Sequence, residues 1–188
     1  GGAVSSKWGG AREKGKNERS IIGKDGKETK VAVGKDFSPT RFSANNALET
    51  EVIFAGYGLS VAGKPGVGYN SYADLNATGK MVLMLRYVPE KVKGPRRQQL
   101  MRSAALVRKA TVARSQKAKG VIIISGPNSQ NADKLIPLSY VRGAASTGVI
   151  ALSGNHKLAN ALPAAAGKGD LKNIQDARDK EARHAPMG

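Results

Sequence analysis

The chain has 188 residues, no cysteine and a formal charge of +17, from 31 Lys and Arg against 14 Asp and Glu. Without cysteine, disulfides and thiolate metal ligands are excluded, and no apolar run reaches the length of about 18 residues that indicates a membrane span. The charge favours either a polyanionic partner or a solvated basic surface with no dedicated partner.

The N-terminal part of the chain is rich in Gly, Lys and Glu. We predict that residues 1–30 are a flexible basic segment, partly ordered through a hairpin that turns at Asp25-Gly26. The first twenty residues are expected to be mobile, with order beginning near Val31. No signal-peptide pattern is present, and the opening sequence is typical of a fragment that starts within a longer protein.

Apolar runs predict the elements that follow, in chain order. A strand ends at Gly56-Tyr57-Gly58, a second strand covers 81–88, and Pro89 ends it. The lack of Pro and Gly predicts one long helix over 96–119, closed by Gly120. Strands over 121–125 and 148–152 come next, then a helix from about 156 to 166 and a last helix capped by Asp170. A long helix leading into a buried strand predicts a mixed α/β layer fold.

No catalytic or metal-binding constellation is found. His156 and His184 lack the spacing that directs two ligands to one metal, and no nucleophile-elbow motif exists. Residues 10–17 nearly match a phosphate-binding loop, but Asn17 replaces the required Ser or Thr. We therefore predict no catalytic residue, no metal ligand and no cofactor in this chain.

The basic segment 80–119 is the remaining candidate site, because it has twelve Lys and Arg and one acid, Glu90. The candidate anion-binding residues are Arg96, Arg97, Arg102, Lys109 and Lys117. Of these, Arg102, Lys109 and Lys117 share one side of the predicted helix, away from Leu100 and Val107. The alternative interpretation is a solvated face whose long basic stems cover apolar surface. With 5% aromatic residues, base stacking is poorly supported, and salt-sensitive, non-specific binding is favoured.

An ordered set of motifs resembles the protease-associated (PA) domain inserted in zinc-dependent aminopeptidases related to glutamate carboxypeptidase and the transferrin receptor. The motifs, which run from about Val31 to the end, are KDFSPTRFS, FAGYGLS, YNSYADL, GKMVLMLRYVPE, RRQQLMRSAALVRKA, GPNSQNADKLIPLS and DARDKEARHAP. Six residues in or next to these motifs are interpreted as structural: Gly56, Tyr57, Gly58, Gly79, Lys80 and Gly120. Two glycines allow unusual backbone angles or close approach, and Tyr57 can bury its ring while its hydroxyl reaches a polar partner.

The resemblance implies a three-layer β/β/α swivelling-type fold, with a PA core over 31–153 and C-terminal helices over 154–188 that return toward a catalytic domain absent from this chain. It implies a non-catalytic lid, substrate-access or protein-interaction module. Its partners would be the peptidase domain of the same polypeptide and a peptide or protein substrate. Zinc would belong to that catalytic domain, and the parent would be secreted or periplasmic. Two alternatives stay open: a basic module that binds nucleic acid or another polyanion, and a purely structural spacer.

Overall fold

The computed structural model describes residues 18–22, 28–44, 50–63, 68–137, 146–162 and 170–183, with side chains from residue 29 to 181. These ranges contain nine strands and four helices. The strands are β1 (Glu18–Ile22), β2 (Glu28–Ala32), β3 (Phe37–Pro39), β4 (Val52–Phe54), β5 (Ser60–Val61), β6 (Tyr69–Asn70), β7 (Met81–Leu85), β8 (Gly120–Ile124) and β9 (Ile150–Gly154). The helices are α1 (Gly94–Arg102), α2 (Leu106–Ser115), α3 (His156–Ala161) and α4 (Leu171–Arg183).

Five strands form one mixed sheet in the order β3-β9-β8-β7-β4. The neighbours β4, β7, β8 and β9 pair in parallel, whereas the edge strand β3 runs antiparallel to β9. The pairs β1–β2 and β5–β6 are separate antiparallel ribbons. The predicted mixed α/β class is confirmed at this level.

The central strands are buried on both faces, which explains their continuous apolar sequences. Alternate residues of β7 enter two different cores: Met81, Leu83 and Leu85 lie in the first, and Val82 and Met84 lie in the second. Leu158 and Ala159 of α3 and Leu171 of α4 belong to the first core, and the buried apolar residues of α2 belong to the second. Helices therefore cover both faces of the sheet.

The prediction of one helix over 96–119 is wrong, because the segment forms α1 and α2 with a break at 103–105. Ala105 adopts an extended ψ of 133° directly before α2. Leu100 of α1 packs in the first core, while Leu106 of α2 packs in the second. A single straight helix cannot bury side chains on opposite faces of one sheet, so the chain bends between them.

The prediction that Gly120 closes a helix is wrong, because Gly120 is the first residue of β8. Helix α2 ends at Ser115, and Lys117 takes the left-handed conformation, with φ of 62°. Strand β7 stops at Leu85, before the predicted limit at Pro89. The backbone leaves the sheet there, since Tyr87 has φ of 46°.

Ordered structure begins before Val31, because the predicted hairpin is present as β1 paired with β2. Residues 18–20, expected to be mobile, lie in β1. Its predicted turn at Asp25-Gly26 lies outside the described residues, as do 1–17. Helix α3 ends at Ala161, and 163–169 are not described. The predicted cap is confirmed, since the N–H of Asn173 donates to Oδ1 of Asp170 at 2.9 Å.

Candidate functional site

The turn after β4 buries a large aromatic side chain between two glycines. Gly56 and Gly58 have φ of 52° and 62°, a left-handed conformation that residues with a Cβ rarely adopt. A Cβ built on Gly58 would also lie 2.6 Å from Sδ of Met84. Tyr57, between them, is 1% exposed. The turn thus requires glycine on backbone grounds at both positions and on steric grounds at the second.

The Tyr57 hydroxyl is part of a buried hydrogen-bond network centred on Asp179 of α4. It donates to Oδ1 of Asp179 at 2.6 Å and accepts a hydrogen bond from Nε2 of Gln175 at 3.1 Å. The fully buried Asp179 carboxylate also accepts the backbone N–H of Glu90 at 3.0 Å and Nδ2 of Asn128 at 3.3 Å. One carboxylate therefore connects α4 to three loops: those after β4, β7 and β8.

The electrostatics of this network keep the phenol protonated. Burial raises the pKa of Tyr57 far above its ordinary value, and the hydrogen bond to the Asp179 carboxylate raises it further. Burial also raises the pKa of Glu90, although the neighbouring Arg97 opposes this effect. Tyr57 consequently remains a hydrogen-bond donor.

Lys109 of α2 is fully buried at the end of β7. Its ammonium donates to the carbonyl oxygens of Leu85, Arg86 and Tyr87 at 2.9, 3.2 and 2.6 Å, and lies 6.0 Å from the centroid of the Tyr57 ring. Three carbonyls match the three donors of an ammonium. Burial lowers the pKa of Lys109 to about 7, with repulsion from Arg86 as a further cause. The lysine thus holds the chain where it turns out of the sheet.

The structure separates the five predicted anion-binding residues. The predicted placement of Lys109 on an exposed helix face is wrong, because its side chain is buried in the carbonyl cage. Arg96 and Arg97 are partly buried, whereas Arg102 and Lys117 are exposed. Arg102 ends α1 and Lys117 follows α2, so these two exposed cations do not share a helix face.

Part of the basic set lines an open groove of about 690 Å³ along α1. We call this feature the α1 groove, and its described lining residues are Gly94, Arg97, Gln98, Met101 and Arg102.

Met101 is 48% exposed, one of two large apolar side chains that are exposed among the described residues. Nη1 of Arg97 donates to the carbonyl oxygen of Pro89 at 3.1 Å, and its Nη2 lies 3.5 Å from Oε2 of Glu90. The arrangement combines positive charge with an exposed apolar side chain.

Gly79, Lys80 and Gly120 position the strand ends. Gly79 has φ of 75°, and its N–H donates to the carbonyl of Lys117 at 2.9 Å. Nζ of Lys80 pairs with Glu51 at 3.2 Å. A Cβ on Gly120 would lie 2.6 Å from Sδ of Met81, so glycine allows β7 and β8 to pack closely here.

His156 joins α3 to the loop after β8. Its Nε2 lies 2.7 Å from the carbonyl oxygen of Ser125, and its backbone N–H donates to Oδ1 of Asp133 at 2.6 Å. His184 lies outside the described residues. Among the residues that the structure does describe, no three His, Asp or Glu side chains are grouped so as to hold a metal ion. No described helix is both long and apolar enough to cross a membrane.

Asp179 and Gln175, the polar core of the network, were not predicted from the sequence. Their signal is helical spacing: they follow Leu171 and Ile174 at intervals that place all four on one face of α4. All four are buried. Met101 was missed because an isolated methionine in a helix is normally read as core.

Comparison with known proteins gives no family assignment. No protein-family model matches the sequence, and no curated protein matches it significantly.

Proposed function

We propose that this chain is a PA-type accessory domain, a non-catalytic lid, substrate-access or interaction module beside the catalytic domain of a zinc-dependent aminopeptidase. In this proposal zinc is bound by residues of that catalytic domain, and the described residues of this chain offer no cluster for it. The parent protein would act on peptides outside the cytoplasm.

The observation that carries the proposal is the convergence of motifs on Asp179. Tyr57, Glu90 and Asn128 each donate to this carboxylate. These residues lie in FAGYGLS, GKMVLMLRYVPE and GPNSQNADKLIPLS, and Asp179 itself lies in DARDKEARHAP. Four segments of the ordered set that resembles the PA pattern therefore meet at one buried group. Such a meeting supports the interpretation of these segments as parts of one structural framework.

The layering gives a second, coarser support. Val31 of β2 and the partly buried Val61 and Tyr69 of the β5–β6 ribbon pack with the first core, whereas α2 packs with the second. Ribbons on one side of the main sheet and a helix on the other are compatible with a β/β/α arrangement. Helices α3 and α4 contribute to the ribbon side as well.

The test is to sequence the coding region on both sides of this segment and to delete the segment from the enzyme found. We expect the flanking sequence to contain His-x-Asp and paired-Glu patterns. We also expect deletion of the segment to change the peptide selectivity of the enzyme. Unchanged selectivity and turnover would favour the structural spacer. Zinc-dependent peptide hydrolysis by this chain alone would contradict the proposal.

A polyanion-binding module is the second candidate, and one observation favours it. Seven of the twelve cations in segment 80–119 are exposed, namely Lys91, Lys93, Arg102, Arg108, Arg114, Lys117 and Lys119. Selective, sub-micromolar binding of RNA or DNA at physiological salt would support this function. Binding that disappears as salt rises would reduce it to counterion release.

A further inference from the structure

The α1 groove contains an exposed apolar side chain between cations. Met101, at 48%, is among the most exposed large apolar residues in the described part of the chain. Arg97 and Arg102 line the same groove. Contiguous apolar surface rimmed by polar groups marks interaction sites, whereas a single exposed side chain does not; a site in this groove therefore depends on Met101 together with the charges beside it.

The two arginines differ in how they are held. Arg97 is fixed by the Pro89 carbonyl and by Glu90, so little side-chain freedom remains to be lost on binding. Arg102 is exposed and has no ion pair or hydrogen bond to any residue that the structure describes. The groove thus has one preorganised guanidinium and one that is available to a ligand.

Segment 80–119 offers little counter-charge of its own; outside it, Asp176 of α4 lies within electrostatic range of Lys91. Lys91 and Lys93 are exposed just before α1, and the first turn of α1 has no acidic residue. Glu90, the single acid of segment 80–119, is already paired with Arg97. A ligand that brings carboxylates therefore has complementary charge.

We propose that the α1 groove binds an acidic peptide segment of a partner protein, with an apolar side chain of that segment packed on Met101. Carboxylates suit the planar guanidinium of Arg102, and the flexible thioether of methionine adapts to varied apolar side chains. A volume of about 690 Å³ lies in the range of sites for small ligands or a few residues.

A peptide is favoured over a nucleic acid by the described lining. Binding of single strands relies on aromatic side chains on which bases stack, and none of the five described lining residues is aromatic. Tyr87, the aromatic residue closest in sequence, accepts a hydrogen bond from Nδ2 of Asn131 at 2.7 Å. The inference does not depend on the proposed peptidase role, since the groove is defined by this chain alone.

The experiment measures fluorescence anisotropy of a labelled Glu-rich peptide that contains two leucines, with the full chain at about 0.15 M salt. Matched probes are the same peptide with serines in place of the leucines, the same peptide with lysines in place of the glutamates, and a single-stranded oligonucleotide. We expect the Glu-Leu peptide to bind most tightly. Tighter binding of the oligonucleotide than of the Glu-Leu peptide would overturn the proposal. Equal affinity for the serine peptide and the Glu-Leu peptide would overturn it as well.

Variants then locate the site. Arg102→Glu should lower the affinity for the Glu-Leu peptide at least about tenfold through lost ion pairing. Met101→Ser should lower it by a similar factor through lost apolar contact. The control Arg108→Glu makes the same charge change at an exposed position of α2, and Val33→Ser removes another exposed apolar side chain. Both controls should change affinity less than about twofold.

Because all four positions are exposed, the variants are expected to fold, and circular dichroism checks this. An equal loss with Arg108→Glu would show charge-driven binding without a defined site and would contradict the proposal. Absence of binding by the unaltered chain would contradict it as well, without bearing on the proposed peptidase role.

Discussion

The hydroxyl of Tyr57 donates to the carboxylate of Asp179 at 2.6 Å, across 122 positions of sequence. Both side chains are buried, at 1% and 0% exposure. A short bond from a neutral phenol to a buried carboxylate is charge-assisted and stronger than a neutral hydrogen bond. It fixes the last described helix to the turn after β4.

Tyr57→Phe should lower the free energy of unfolding by about 2 kcal/mol, because the buried carboxylate loses a donor. The matched control is Tyr72→Phe, since the Tyr72 hydroxyl is buried and has no hydrogen-bond partner among the residues that the structure describes. Removing that unsatisfied group should be neutral or slightly stabilising. Urea denaturation measures both variants, and equal losses would show that the hydrogen bond to Asp179 contributes nothing specific.

Asp179→Asn should destabilise the chain by about 3 kcal/mol, because an amide cannot replace a carboxylate that accepts from several donors. The comparison is Asp176→Asn on the same helix, where the partly exposed carboxylate also accepts from Asn128, at 2.8 Å. We expect a much smaller effect there.

Hydrogen exchange shows which parts of the chain are destabilised by Asp179→Asn. Amides of α4 and of the loop around Glu90 should lose protection together, because one carboxylate holds both. Loss of protection confined to the end of α4 would contradict the central role of Asp179.

The buried Lys109 should make stability depend on pH. Its pKa is lowered to about 7 from an ordinary value of 10.5, so the unfolded chain binds more protons between these values. Stability contributed by this group therefore rises with pH in that window, by at most about 1.4 kcal/mol per pH unit. Lys109→Met should lack this contribution, and parallel stability curves for the two proteins would contradict it.

Gly58→Ala should be more harmful than Gly79→Ala, although both glycines have positive φ. An alanine Cβ in the left-handed conformation costs about 1 kcal/mol at either site. At Gly58 it also collides with Met84, whereas a Cβ at Gly79 would meet no described atom within 4 Å apart from those of its chain neighbours. Overpacking should add about 2 kcal/mol at Gly58. Thermal unfolding of the two variants tests the difference, and equal effects would show that Met84 moves away freely.

The sequence predicted the parts of the fold that depend on continuous apolar runs. Strands β7 and β8 were found because both faces of each are buried, so that apolar residues follow one another without alternation. The break between α1 and α2 was missed because no Pro or Gly marks it. It arises from tertiary packing, which draws Leu100 and Leu106 to opposite faces of the sheet.

The candidate site was harder to predict because burial reversed the usual preferences of charged residues. Lys109 has the sequence surroundings of a solvent-facing helix residue. Its ammonium nevertheless donates hydrogen bonds to three main-chain carbonyls at the end of β7. Asp179 lies in a strongly charged helix and is nevertheless buried. Neither environment can be read from neighbours in sequence, since the partners come from distant loops.

Asp179 follows all three of its donors in the chain, and this order also bears on biosynthesis. Loops near Tyr57, Glu90 and Asn128 are translated well before the carboxylate that accepts from all three. During translation these donors must stay hydrated or pair transiently until α4 leaves the ribosome. The sheet can assemble earlier, but the loops at its end become locked only when the last described helix arrives.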